Sequence, residues 1–273
     1  MSAEHEVVQQ AAEASHPPEL PNFIHVLHQL YGGNPVVDFL WDWNYQIYAL
    51  LVLGFLTLVF RAASRHCTLV PGKLQSFAEM VIEPLLGIVV GILGEKEGRR
   101  YFPFLGALFL FIFCMNWSGL VPLMRAPTSN IKITAALAIS VFIFVQYTAF
   151  TRLGPLGYLH HLMGEPQDTI GWCLVPLFLP LHILEELIKP LSLACRLFGN
   201  ILGEDVLLGV GLMLGISLMT WFWHGAFIGF PLHLPFIFLS MLLGTIQALV
   251  FTLLASVYLS ATIPHEHHEE HSK

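Results

Sequence analysis

Residues Trp172–Thr220 form one apolar stretch that is more than twice as long as the roughly 20 residues that a helix needs to cross a bilayer. A charged side chain at the centre of a membrane helix costs about 2.5–3.5 kcal/mol on insertion scales, so charges in such a stretch have to face protein or water. We therefore expect a long, tilted or broken helix that is buried against other protein, rather than two simple spans. The charged residues of the stretch are Glu185, Glu186, Lys189, Arg196, Glu204 and Asp205.

The rest of the chain has the composition of a membrane protein with several spans. Hydrophobic residues make up 55% and charged residues 11% of its 273 positions, whereas soluble domains carry about 25% charged residues. Further apolar runs predict membrane helices at about 43–60, 101–121, 134–151 and 234–259. We expect an all-α integral membrane protein with about five membrane helices, and its cations form no patch suited to nucleic acid.

Residues 74–94 are apolar as well, but Glu79, Glu83 and Pro84 interrupt them. The two glutamates are four residues apart and therefore share one face of a helix. We predict an amphipathic helix that lies on the cytoplasmic surface, in addition to the five spans.

The positions of the cations predict the orientation of the chain. The first span has no Lys or Arg before it and is followed by Arg61, Arg65, Lys73, Lys96, Arg99 and Arg100. The positive-inside rule then places the N-terminus outside and residues 61–100 in the cytoplasm, and five crossings return the C-terminus to the cytoplasm. The expected organisation is a polar periplasmic segment at 1–42, a single membrane domain at 43–260 with a Gly/Pro/His loop at 153–167, and a polar cytoplasmic tail at 261–273.

Arg196 is the costliest charge of the long stretch, because arginine cannot lose its proton in a protein. On a helical wheel, Gly199, Asn200 and Gly203 lie on the same face as Arg196. Two glycines four residues apart leave a smooth surface for the close approach of another helix. Asp205 points to the opposite side, so we expect an arginine face and a separate, acid-lined aqueous pocket.

Two blocks of sequence resemble the membrane a subunit of F-type ATP synthases. The first block is KPLS at 189–192 followed by RLFGNILGED at 196–205, and the second is QALVF at 247–251 followed by VYL at 257–259. The order and spacing of the blocks, the topology and the chain length agree with the family, and the resemblance covers about 43–259.

The resemblance implies a subunit that catalyses no covalent chemistry itself and conducts protons in a bacterial inner membrane. In that family, two offset half-channels lead from opposite sides of the membrane to a rotating ring of c subunits. The hairpin formed by 172–220 and 234–260 would face this ring. Arg196 matches the essential arginine, which attracts each deprotonated ring carboxylate and blocks a direct proton leak. Further residues implied in proton translocation are Asn200, Glu204, Asp205 and Gln247. The implied partners are the c-ring, the b subunits of the peripheral stalk, the rest of the ATP synthase and membrane lipid, with no cofactor and no metal.

The chain departs from the family pattern at two places. Asp205 matches the usual acidic position of the family, nine residues after the arginine, so Asp205→Asn is expected to slow proton entry more than Glu204→Gln does. However, Glu204 and Asp205 stand where the common pattern ends in Gly-Glu or Asp-Glu, so the identity of the acid that lines the outer half-channel stays open. Ser240 stands seven residues before Gln247, where many bacterial members have a histidine or an acid.

Several polar residues remain open to two interpretations. Further candidates to line the half-channels are Asn116, Glu185, Glu186, Ser192 and Ser240. Asn116 fits a helix-packing amide equally well, and Glu185 and Glu186 fit an interfacial pair with Lys189. Gln247 either bonds a neighbouring helix or packs near Arg196 and holds its guanidinium.

The sequence gives less support to other classes of function. A stand-alone ion-coupled carrier, with Arg196 as the site of an anionic substrate, is the alternative to the ATP synthase subunit. The His-rich tail at 265–271 suggests a metal site, but it fits a solvated tail better. The sequence leaves open whether protons or sodium ions are conducted.

Overall fold

A computed structural model of the chain describes residues 23–31, 34–64, 72–121, 123–164, 169–222 and 234–263. Within these ranges the regular structure is helical, which confirms the predicted all-α class. The α-helices are α1 Phe23–Tyr31, α2 Pro35–Asp42, α3 Asn44–Ser64, α4 Lys73–Leu93, α5 Glu95–Ser118, α6 Ile131–Leu162, α7 Thr169–Phe222 and α8 Leu234–Thr262. A short 3-10 helix, Pro127–Ser129, precedes α6.

Among the described residues, six helices, α3 to α8, are long and apolar enough to cross a membrane. Five of them coincide with the predicted spans, and the two longest predictions, 172–220 and 234–260, correspond to α7 and α8. The sixth candidate is the segment Gln75–Leu93 of α4. Its length and hydropathy fit a crossing helix, and the surface location predicted for residues 74–94 stays a prediction.

The loop predicted at 153–167 is wrong as far as Leu162, because α6 continues to that residue. The helix is broken once on the way, at Gly154, where φ is 71° and ψ is 167°. This backbone conformation is essentially restricted to glycine. Pro155 follows the break and starts a new helical segment, since its fixed φ suits the first turn of a helix.

Two short helices, α1 and α2, lie within the predicted polar segment 1–42. The carbonyl of Leu123 accepts the backbone N–H of Phe23 at 2.9 Å and the hydroxyl of Tyr48 at 3.4 Å. This carbonyl therefore ties the start of α1 and the first half of α3 to the turn after α5. The leader 1–22 and the histidine tail 265–271 lie outside the described residues.

The chain divides into two compact units. The first unit consists of residues 1–56, 111–133 and 197–248, and the second unit consists of residues 57–110, 134–196 and 249–273. Each has an apolar core: Ile112, Met115, Leu197 and Ile201 are buried in the first unit, and Leu105, Ala149, Leu193, Phe251 and Leu259 are buried in the second. The division falls inside α7, directly after Arg196, and the domain boundaries predicted at 42 and 260 stay predictions.

Candidate functional site

Arg196 is exposed on α7, while Leu193 and Leu197 on either side of it are buried. Gly199 and Gly203 are exposed too, and a Cβ atom built on either glycine would meet nothing within 4 Å. This face of the helix is therefore open, smooth and charged. Within the described part of the chain, Arg196 has neither an ion-pair partner nor a hydrogen-bond partner.

Glu204 is buried in the first unit, with 8% of its surface exposed. Its Oε1 accepts a hydrogen bond from the Nδ2 of Asn200, one helical turn earlier, at 2.6 Å. A carboxyl group removed from water needs such a donor, because an unpaired buried polar group costs free energy. Asp205, the next residue, is half-buried and makes an interaction of its own.

Asn116 uses both ends of its amide within the first unit. Its Nδ2 donates to the carbonyl of Gly244 at 2.9 Å, and its Oδ1 accepts the hydroxyl of Thr128 at 2.9 Å. A Cβ atom on Gly244 would lie 3.2 Å from the Cβ of Asn116 and 4.0 Å from the Oε2 of Glu204. Asn116 therefore links α5 to α8 by a hydrogen bond beside Glu204. This contact fits the interpretation of Asn116 as a helix-packing amide.

Ser240 and Gln247 are buried on the same face of α8 as Gly244, four residues before it and three residues after it. Among the residues that the structure describes, neither the Oγ of Ser240 nor the Nε2 of Gln247 has a hydrogen-bond partner. Gln247 belongs to the first unit and Arg196 to the second, so the predicted contact between them stays a prediction. Buried polar atoms of this kind are sites for ordered water.

The second unit holds a cluster of charges around Lys189 on α7. The Nζ of Lys189 lies 2.5 Å from the Oε1 of Glu186 and 3.3 Å from the Oε1 of Glu185. The same Nζ lies 5.7 Å from the ring centroid of Tyr258, within the range of a cation–π contact. The pairing predicted between the two glutamates and Lys189 is thus present, and Ser192 is half-buried one turn further along α7.

A cavity of about 340 Å³ adjoins this cluster. The residues that line it are Leu162, Gly164, His182, Glu185, Glu186, Lys189 and Ala261. Since the lining includes four titratable side chains and the volume exceeds that of a single water many times over, the cavity suits several water molecules. The ion pairs with Lys189 are therefore present beside a cavity, and the half-channel role of the two glutamates stays a prediction.

Three residues of this cluster were missed by the sequence reasoning. Gln146 donates from its Nε2 to the Oε2 of Glu186 at 2.8 Å, and its Oε1 accepts the hydroxyl of Tyr158. His182 donates from its Nδ1 to the carbonyl of Leu162 at 3.0 Å. A polar amide inside an apolar run was the available signal for Gln146, but it did not indicate a partner 40 residues away.

The amino-acid sequence is similar to those of known membrane proteins of one family. A sequence model of the family described as "ATP synthase A chain" matches residues 45–260. The protein named ATP synthase subunit a of Protochlamydia amoebophila is 45% identical over 242 residues, which cover 89% of this chain and 88% of that protein. The protein of the same name from Oleidesulfovibrio alaskensis is 37% identical over 257 residues, which cover 94% of this chain and all of that protein (100%).

The matched region includes the helices that are apolar enough to cross a membrane, in keeping with a multi-pass membrane protein. A third relative, ATP synthase subunit a of Solidesulfovibrio magneticus, is 40% identical over 221 residues, 81% of this chain and 84% of that protein. The family match and the relatives extend over most of the chain. The chain therefore belongs to the ATP synthase a subunit family.

Proposed function

We propose that the chain conducts protons as the a subunit of an ATP synthase, at an interface with the rotating c-ring. Its relatives are named ATP synthase subunit a, and the open face of Arg196 is the observation that carries the finer proposal. The subunit itself catalyses no covalent chemistry. Two half-channels lead protons to and from the ring, and the movement of the ring couples proton flow to ATP synthesis.

The charge of Arg196 is costly inside a membrane. Its guanidinium keeps its charge at any working pH, and it lies in a segment apolar enough to span a membrane. The described residues offer it no anion, and a partner chain or water would stabilise its charge. A carboxylate on a neighbouring helix fits, because Gly199 and Gly203 let such a helix approach closely and move past.

Each unit supplies acids for one half-channel. The second unit contains Arg61, Lys96, Arg99, Arg100 and Arg152, which the positive-inside rule places towards the cytoplasm. We therefore assign its cavity beside Glu185 and Glu186 to the cytoplasmic half-channel. The outer half-channel is assigned to the first unit, where Asn200, Glu204 and Asp205 lie, with Ser240 and Gln247 as further polar groups on α8.

The location and the partners follow from the family, and the orientation follows from the positive-inside rule. The chain would lie in the inner membrane of a bacterium, with its N-terminus in the periplasm and its C-terminus in the cytoplasm. Its partners would be the c-ring, the b subunits of the peripheral stalk and the other ATP synthase subunits.

Replacement of Arg196 tests the proposal. Arg196→Ala should reduce ATP-driven proton pumping in inverted membrane vesicles to background, while the ATPase activity of the detached head stays unchanged. The matched control is Cys195→Ala, because Cys195 is the exposed neighbour of Arg196 and carries no charge. Normal pumping by Arg196→Ala would refute the proposal. Transport of an anion by the purified chain alone in liposomes would support an ion-coupled carrier instead.

A further inference from the structure

We propose that Glu185 is the acid that exchanges protons with cytoplasmic water, and that Gln146 and Tyr158 are positioning residues that hold Glu186 as the fixed counter-ion of Lys189. The inference rests on the proposed function and deepens it, because it separates two adjacent acids that the sequence cannot tell apart. All the contacts that carry it lie within the second unit.

Glu186 has both carboxylate oxygens engaged. Its Oε1 accepts from the Nζ of Lys189 at 2.5 Å, and its Oε2 accepts from the Nε2 of Gln146 at 2.8 Å. The side chain is 20% exposed and that of Lys189 is 21% exposed, so the pair is largely removed from solvent. Hydrogen bonds to charged groups are among the strong ones, so both oxygens are firmly occupied. Glu186 is therefore left without an oxygen that is open to a water molecule.

Glu185 is held much less firmly. Its side chain is 59% exposed, and its Oε1 lies 3.3 Å from the Nζ of Lys189. Among the described residues, Lys189 is the one partner of this carboxylate. Both glutamates line the cavity of about 340 Å³. The described residues occupy both oxygens of Glu186 but leave the second oxygen of Glu185 open to water in the cavity. Of the two acids, Glu185 therefore has the access that proton exchange needs.

The contact between Tyr158 and Gln146 depends on the break in α6. In a continuous helix, residues twelve apart are separated by about 18 Å along the axis, at a rise of about 1.5 Å per residue. The Tyr158 hydroxyl nevertheless reaches the Oε1 of Gln146, since the chain changes direction at Gly154. The hydroxyl donates to that oxygen, which fixes the amide so that its Nε2 faces Glu186. Tyr158 thus acts on Glu186 through Gln146.

The charged and titratable groups around Glu185 come from several helical segments. Lys189 and Glu186 neighbour it on α7, and His182 lines the same cavity, with its Nδ1 bonded to the carbonyl of Leu162. Tyr158 approaches from the end of α6, and Tyr258 lies below Lys189 on α8. Among these groups, Lys189 and Glu186 neutralise each other. Glu185 is left as the acid with an oxygen open to the cavity.

The proposed step is a simple proton exchange. The Glu185 carboxylate takes a proton from a hydronium ion in the cavity, which leaves a neutral carboxylic acid and a water molecule. The reverse step returns the proton to water. During ATP synthesis, protons pass on balance from Glu185 to the cytoplasm. During ATP-driven pumping, protons pass on balance from the cytoplasm to Glu185.

Neutral amide replacements of the two acids provide the test. ATP-driven pumping would be measured in inverted vesicles that hold the complete complex. The pH would be varied between 5.5 and 8.5, about three units around neutral pH, where a general acid–base group operates. Glu185→Gln should lower pumping by about tenfold or more and flatten its pH dependence, since a positioned acid–base group contributes about 10²–10⁴-fold to a proton transfer. Glu186→Gln should retain the pH dependence of the parent complex. Glu185→Asp, which keeps the carboxyl group, should restore most of the pumping.

Double variants test the positioning residues. Tyr158→Phe and Gln146→Leu should each reduce pumping, and neither should reduce it further when Glu186→Gln is already present, because both act through Glu186. Tyr147→Phe is the matched control, since Tyr147 is an exposed tyrosine next to Gln146 on α6. Immunoblots of the vesicles would show that each variant is assembled to the level of the parent chain.

Two outcomes would overturn the inference. One is an equal loss of pumping and of its pH dependence in Glu185→Gln and Glu186→Gln, and the other is a larger loss in Glu186→Gln. Fully additive effects of Tyr158→Phe and Glu186→Gln would remove the positioning role. The Arg196→Ala variant, measured in the same vesicles, keeps the two proposals apart: if Arg196→Ala pumps normally the proposed function fails, whichever glutamate matters.

Discussion

Burial distinguishes the two adjacent acids Glu204 and Asp205. The family position, nine residues after Arg196, points to Asp205, whereas the structure buries Glu204 against Asn200 and close to Gly244. A buried carboxyl group is expensive unless it is bonded or has a function. The Oε2 of Glu204 also lies near the α8 face that carries Ser240 and Gln247, whose buried polar atoms suit ordered water.

We therefore expect Glu204→Gln to slow proton uptake from the outer side more than Asp205→Asn does. Both variants keep the shape of the side chain and remove its ability to exchange a proton, so a difference between them reports function rather than packing. The expected loss for Glu204→Gln is about tenfold or more, on the scale of a positioned acid–base group. Proton-driven ATP synthesis in vesicles measures it, and a larger loss in Asp205→Asn would return the role to Asp205.

The kink at Gly154 sets the direction of the last part of α6. Through Tyr158 and Gln146, it also determines the hydrogen bond that Glu186 accepts. Residues after the break, Tyr158 and Leu162, bond to Gln146 and His182. These contacts would be lost if α6 continued straight. A Cβ atom on Gly154 would meet nothing within 4 Å, so a side chain there would be resisted by the backbone conformation and not by crowding.

Gly154→Ala should consequently loosen the segment 155–162. An alanine at this φ and ψ costs about 1–3 kcal/mol, which corresponds to about 5- to 150-fold more opening of the segment. Hydrogen exchange of the amides of 155–162 in the purified complex would measure this directly. Gly157→Ala is the matched control, because Gly157 lies in the regular helix after the break and its Cβ atom would make an ordinary 3.4 Å contact with Leu153. Equal exchange in both variants would contradict the role of Gly154.

The long helices were predictable from the sequence, whereas the contacts between their polar groups were not. The predicted ends of α7 and α8 lie within three residues of the observed ones, because apolar runs that can span a membrane end where polar residues or loop signals begin. The pair Gly154-Pro155 signals an interruption, but it does not show that the helix resumes directly after the break, as α6 does. The motif around Arg196 indicated the arginine face. No local pattern could indicate that Gln146 turns towards Glu186, since that depends on how distant helices pack.

For the whole molecule, the number of membrane crossings decides whether the two termini lie on the same side of the membrane or on opposite sides. In the part of the chain that the structure describes, six helices have the length and hydropathy of a span, and six crossings would place both termini on one side. α4 is the helix in question. Cations lie at both of its ends, with Lys73 at its start and Lys96, Arg99 and Arg100 just beyond its last residue. A single crossing by α4 would carry one of these groups to the outer side, against the positive-inside rule.

We accordingly expect α4 to remain on the cytoplasmic side, with five crossings and termini on opposite sides. Single cysteines at positions 3 and 270, in a variant that lacks the four native cysteines, would be labelled with a membrane-impermeant maleimide in intact cells and in inverted vesicles. Position 3 should react in intact cells and position 270 in inverted vesicles. A third cysteine, in place of the exposed Met80 near the middle of α4, separates the alternatives at the helix itself. On the cytoplasmic surface it should react in inverted vesicles, whereas a crossing helix would shield it in both preparations. Reaction of positions 3 and 270 in the same preparation would show an even number of crossings and make α4 a true span.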